Sequence, residues 1–93
     1  MTEPVFVSTY RWLDTFGRLR MVDIFRTDPV TREIRVYALG EDDAPVLVAA
    51  VDADGKFTRL VHTETVKYGF DTAAAWNNLI DLCRMAHGST NIY

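Results

Sequence analysis

The chain has 93 residues, 48% of them hydrophobic and 25% charged, with a formal net charge of −3 at pH 7. Two separate cores would each be so small that disulfides or metals usually have to add stability, so the length implies one domain over residues 1–93. The apolar content places the chain outside the disordered class, and the mild negative charge argues against non-specific attraction to phosphate backbones without excluding a local basic face.

The expected fold class is α+β: an antiparallel meander of about five strands, followed by one C-terminal amphipathic helix packed on one face. Residues 5–12 (VFVSTYRW) are β-branched and aromatic, and strict alternation places Phe6, Ser8, Tyr10 and Trp12 on one face and Val5, Val7, Thr9 and Arg11 on the other. Residues 14–17 supply a turn, and residues 18–26 form a second strand whose alternation blurs at Val22. The same first 26 residues also admit a helix, because Tyr10, Leu13, Phe16, Met21, Ile24 and Phe25 fit a helical stripe through Gly17. The hairpin is preferred, since Gly17 costs a helix interior about 1 kcal/mol and β-branched residues dominate the start.

Residues 27–31 (TDPVT) form a turn in which Pro29 fixes φ and the Asp28 side chain can accept from later backbone amides. The third strand is expected over residues 33–39 and an acidic loop over 40–45. The fourth strand, residues 46–51 (VLVAAV), is apolar on both alternating faces and is expected to be buried on both sides. Residues 52–55 (DADG) make a hairpin connection with Gly55 free to take positive φ, and residues 57–66 are expected to form the fifth strand. Asp71 or Thr72 can cap a helix running to about His87, with Trp76, Leu79, Ile80, Cys83 and Ala86 as its apolar stripe and Gly88 at the position just past its end. One helix covers only one face of a sheet. A fourth strand apolar on both faces therefore asks for a second cover: a curled sheet, a helical N-terminal segment, or a second chain, which implies a homodimer or a partner.

No apolar stretch approaches the ~18 residues of a membrane span, and residues 1–4 have no basic segment leading into an apolar run. Cys83 is the only cysteine and no Asn-x-Ser/Thr acceptor occurs, as expected of a cytoplasmic protein with no membrane association. Residues 1–38 hold six arginines against five acids, whereas residues 39–93 hold four bases against eight acids. Eight of the ten basic residues are arginine, whose planar fork suits carboxylates and protein surfaces better than lysine does.

No residue pattern demands catalysis, a metal or a cofactor. Cys83 and His87 lie one helical turn apart, but no third polar partner is adjacent and an apolar stripe is a poor setting for a nucleophilic thiol. His62 and Glu64 share a strand face, which reads as a surface pair in the absence of a placed nucleophile. Asp52-x-Asp54-Gly55, near Glu41-Asp42-Asp43, lacks the third ligand and closing Glu of a calcium loop and reads as a solvated acidic turn. Tyr10, Arg11, Trp12, Arg18, Arg20 and Arg26 could form a stacking platform with a basic fringe for nucleic acid, yet Asp14, Asp23 and Asp28 are interspersed among them.

These features point to a non-catalytic protein-binding module using sheet or loop surface left uncovered by the helix. In composition it suits small stand-alone inhibitors such as phage anti-defence (anti-CRISPR) proteins and toxin immunity proteins, with a protein or ribonucleoprotein target. The expected partner-binding residues are Glu41, Asp42, Asp43, Asp52 and Asp54, an acidic set able to occupy a positively charged site. The alternatives are nucleic-acid binding through the arginine–aromatic set, and a small ligand-binding or enzymatic homodimer around His62.

Overall fold

Five strands pair in the order in which they occur in the chain, each antiparallel to the next, and one helix follows. The computed structural model describes residues 4–40, 43–60 and 68–88. The elements are β1 (Val5–Leu13), β2 (Leu19–Arg26), β3 (Ile34–Leu39), β4 (Pro45–Val51), β5 (Phe57–Arg59) and α1 (Ala73–Gly88). Residues 5–26 are thus a hairpin and not a helix. No helix among the described residues is long and apolar enough to cross a membrane.

The β2–β3 and β4–β5 turns are each made by an aspartate whose carboxylate holds the amides that the turn leaves open. Asp28 Oδ1 accepts from the amides of Val30 (2.8 Å) and Thr31 (3.2 Å), and Asp52 Oδ1 accepts from those of Asp54 (3.0 Å) and Lys56 (2.9 Å). Gly55 takes the positive φ of 87° expected of it, and Arg32 and Asp43 also sit at positive φ, where no glycine marked the position.

The core lies between the sheet and α1. Val22, Ile24, Ile34, Val36, Val48 and Val51 on the sheet meet Ala75, Trp76, Leu79, Cys83 and Ala86 on the helix. The Thr72 hydroxyl caps the helix by accepting from the Ala75 amide at 3.2 Å, so Asp71 is left for another role. At the other end Gly88 is the last helical residue and does not take positive φ, so it does not stand past the end as a left-handed cap. An aromatic row crosses the helix-side face from one edge strand to the other. Tyr10 stacks on Trp12, Trp12 meets Phe70, Phe70 stacks on Trp76, and Trp76 and Phe57 meet edge to face. The row thus links β1 and β5 across the start of α1.

Two expectations fail for identifiable reasons. A β-bulge between Phe6 and Ser8 leaves Val7 out of the β1–β2 ladder. The alternation slips by one there, so Phe6 joins the face away from the helix while Ser8, Tyr10 and Trp12 keep the helix side. A second irregularity opposite Val36/Tyr37 leaves Val48 as the extra residue in β4. The run of apolar residues in β4 therefore reflects a local shift in alternation, and Leu47 and Ala50 remain half-exposed on the far side. β5 is Phe57–Arg59, and residues 61–66 of the expected fifth strand lie outside the described residues.

Candidate functional site

The face of the sheet away from α1 is laid out by strand register. Arg11 pairs with Met21 in one row, Thr9 with Asp23, Tyr37 and Leu47 in the next, and Phe6 with Phe25, Arg35 and Ala50 in the third. Phe6, Phe25 and Tyr37 run diagonally across it, with successive ring centroids 5.7 Å apart and the rings edge to face. Pairing between β2 and β3 is confined to Asp23–Arg26 against Ile34–Tyr37, so the two strands are unpaired beyond Asp23. The result is a groove of about 360 Å³ whose walls include Met21, Phe25, Tyr37, Leu39 and Pro45. Met21 (46%), Phe6 (54%) and Leu39 (62%) are all heavily exposed on this face, and Pro4, just ahead of β1, also lines the groove.

Charge on this face is mixed, with Glu33 and Asp52 lining a hollow of about 160 Å³ together with Arg35, Ala50 and Thr58. Asp23, half-buried at the centre of the face, accepts a 2.8 Å hydrogen bond from the Thr9 hydroxyl. Arg11 and Arg35 are exposed at opposite corners, and among the described residues neither has an ion-pair or hydrogen-bond partner.

The expected acidic set does not form one patch among the described residues. Asp43 precedes β4 and Asp52 and Asp54 follow it, so the strand of seven residues holds them about 20 Å apart at opposite ends of the sheet. Asp52 is also committed to its turn. Glu41 and Asp42 lie outside the described residues, as do His62 and Glu64.

Nor does the arginine–aromatic set share a surface. Tyr10 and Trp12 face the helix, while Arg11 faces away from it. Arg18 and Arg20 are bound to Asp14, and Arg26 donates to the Ala86 carbonyl at 3.0 Å. Cys83 is buried in the helix stripe, and burial pushes its thiol up to about 12. Among the described residues no three His, Cys, Asp or Glu side chains are grouped to hold a metal.

The buried carboxylate of Asp14 escaped sequence reasoning. Its Oδ1 accepts from the amides of Phe16 and Arg18, and its Oδ2 from the Nε of Arg18 and of Arg20, all at 2.9–3.0 Å. Burial alone would raise its pKa, but the hydrogen bonds from Arg18, Arg20 and Phe16 outweigh it and hold the group at about 2. Beside it, Asp71 Oδ2 accepts from the Thr15 hydroxyl (2.6 Å) and amide (3.1 Å), which lowers that carboxyl as well. These contacts fasten the β1–β2 turn to the start of the helix. The one local signal was an aspartate opening a turn that closes on two arginines.

The chain matches no protein-family model, no curated protein and no solved structure.

Proposed function

We propose that the chain is a non-catalytic protein-binding module of the cytoplasm that engages a macromolecular target through the helix-free face of its sheet. In this reading it acts as a small stand-alone inhibitor, of the kind phages deploy against host defences or bacteria carry as immunity proteins. The observation that carries the reading is the apolar groove between β2 and β3, exposed where a second layer would normally lie. Its size, its aromatic and methionine lining and its few polar groups suit a protein surface, and the embedded Asp14 network gives the groove a rigid frame.

An affinity pull-down from the native host's lysate, with and without nuclease, tests this reading. The wild-type chain and a Met21→Glu/Leu39→Glu variant are compared, both checked for folding by circular dichroism. One stoichiometric protein should survive nuclease on the wild type and be lost on the variant, and adding the chain to that purified target should lower its activity. Recovery that depends on nucleic acid, or is identical with the variant, would remove this face as the binding site.

A further inference from the structure

The groove is the mouth of a split in the sheet. The Thr27 amide donates to the Glu33 carbonyl at 2.8 Å, so alternation makes Phe25–Arg35 and Asp23–Tyr37 pairs that exchange hydrogen bonds, and Met21–Leu39 would be the next. That pair does not form. Each strand nevertheless keeps its other neighbour: β2 stays paired with β1 as far as Leu19, opposite Leu13, and β3 with β4 as far as Leu39, opposite Pro45. Two intact hairpins therefore diverge from Asp23 and Tyr37. The Asp14 amide on the Arg18 carbonyl and the Gly40 amide on the Ala44 carbonyl fix the phase of the two outer ladders. The main-chain groups of Arg20 and Val22 turn to β1 and those of Ala38 and Gly40 to β4, whereas those of Leu19, Met21 and Leu39 turn into the split, where they meet no partner among the described residues. A second hollow, of about 390 Å³, shares Met21 and Leu39 with the groove and is bordered by the buried Ala38 and Tyr68.

We infer that the split receives a strand: an extended peptide segment of the partner lies between β2 and β3, and its main chain makes with Met21 and Leu39 the hydrogen bonds that these two residues do not make with each other. The inference rests on the protein-binding reading of this face and deepens it by naming the conformation and chemistry of the bound segment. Open donors and acceptors along both lips are complemented by a backbone that carries both at strand spacing, which a peptide has and a nucleic acid lacks. An inserted strand needs lips about 9.6 Å apart, twice the ordinary strand spacing. Widening the split from Asp23 and Tyr37 outward breaks no hydrogen bond within either hairpin. Alternation then sorts the segment's side chains. Every second one emerges on the helix-free face between Met21 and Leu39, where large apolar residues are accommodated, and the others face Ala38 and Tyr68, where small ones fit.

Amide hydrogen exchange read by NMR tests this, first on the chain alone. The amides of Met21 and Leu39 should exchange at least about tenfold faster than those of Asp23 and Tyr37. Equal protection of all four in dilute solution overturns the split, and protection of Met21 and Leu39 that grows with protein concentration puts a second copy there in place of a partner segment. The probe is then a pool of lysine-flanked hexapeptides that alternate leucine, valine or phenylalanine with alanine or threonine. Its twin is the same pool N-methylated at every second residue, which removes the donors along one side of the strand. The unmodified pool is expected to slow exchange at Met21 and Leu39 and to bind about tenfold tighter than the methylated one. Equal binding of both pools on this face overturns strand insertion and leaves the protein-binding reading standing. Absence of any response at Met21 and Leu39 with either pool overturns the inference, and the Met21→Glu/Leu39→Glu pull-down then decides the wider reading independently.

Discussion

Trp12 and Gly69 are 57 residues apart in the chain, and the indole Nε1 of the first donates to the carbonyl oxygen of the second at 2.8 Å. The bond ties the end of β1 to the segment that leads into α1. Beneath it, the side chain of Arg20 packs against the Cα of Gly69, and Arg20 is itself held by Asp14. The open face of the sheet therefore has a fixed floor, because β1 and β2 are locked to the helix entry from behind. Trp12→Phe keeps the ring contacts with Tyr10 and Phe70 but strands the Gly69 carbonyl. The expected loss is about 1–3 kcal/mol of unfolding free energy, read by urea denaturation.

Gly69 has φ of 90°, and a Cβ there would run into Cγ and Cδ of Arg20. Gly17 also has positive φ, 77°, but faces open space. Both positions strain an alanine, and only one adds a collision. Gly69→Ala should therefore cost more than the roughly 1–2 kcal/mol expected for Gly17→Ala, and paired thermal melts measure the difference.

Acid should loosen the same junction within a defined window. The folded-state pKa of Asp14 is lowered from 3.8 to about 2, so its stabilising effect is fully present above 3.8 and is lost as pH falls toward 2. Asp71 is shifted in the same direction by Thr15. Stability measured by denaturant melts should fall between about pH 4 and pH 2 in the wild type, and fall less steeply in Asp14→Asn, which starts lower at neutral pH. Equal slopes for the two proteins would show that Asp14 is not the linked group.

Cys83 should resist thiol reagents in the native state at pH 8. Its thiol is buried and raised to about 12, so little thiolate is present and reagents cannot reach it without local opening. Labelling should follow the unfolding transition in denaturant; rapid labelling of the native protein would contradict the burial.

Asp52→Ala should cost about 1 kcal/mol through loss of the two amide bonds of the β4–β5 turn. The change is measured by comparing melts of the variant and the wild type.

Much of this architecture was legible because its signals are local. Asp28 and Asp52 announce their turns within four residues, and Thr72 with the Trp76–Leu79–Cys83 spacing announces the helix. The bulge at Val7 is different: nothing in Phe6-Val7-Ser8 breaks the alternation, and only the partner strand decides which residue is squeezed out. The functional surface was half legible. An uncovered sheet face followed from having a single helix, but the register that assembles Met21, Phe25 and Tyr37 beside Arg35 depends on pairings across three strands. Charge counting drew attention to acids that β4 holds at opposite ends of the sheet. It could not reveal Asp14, whose bonds to Arg18 and Arg20 depend on a turn geometry that composition does not encode.

The bulge at Val7 has a further consequence for the free edge of the sheet. β1 is an outer strand of nine residues with Arg11 as its single charged side chain, the kind of border along which another molecule's strand could be laid down. Val7 interrupts the regular spacing of main-chain donors and acceptors near the start of that border and twists it locally. Growth of the sheet from molecule to molecule is thereby discouraged without a lysine or an internal proline in the strand. Deleting Val7 would even out the edge while leaving Val5 opposite Arg26 and Phe6 opposite Phe25, turning a guarded margin into a template for fibrous assembly.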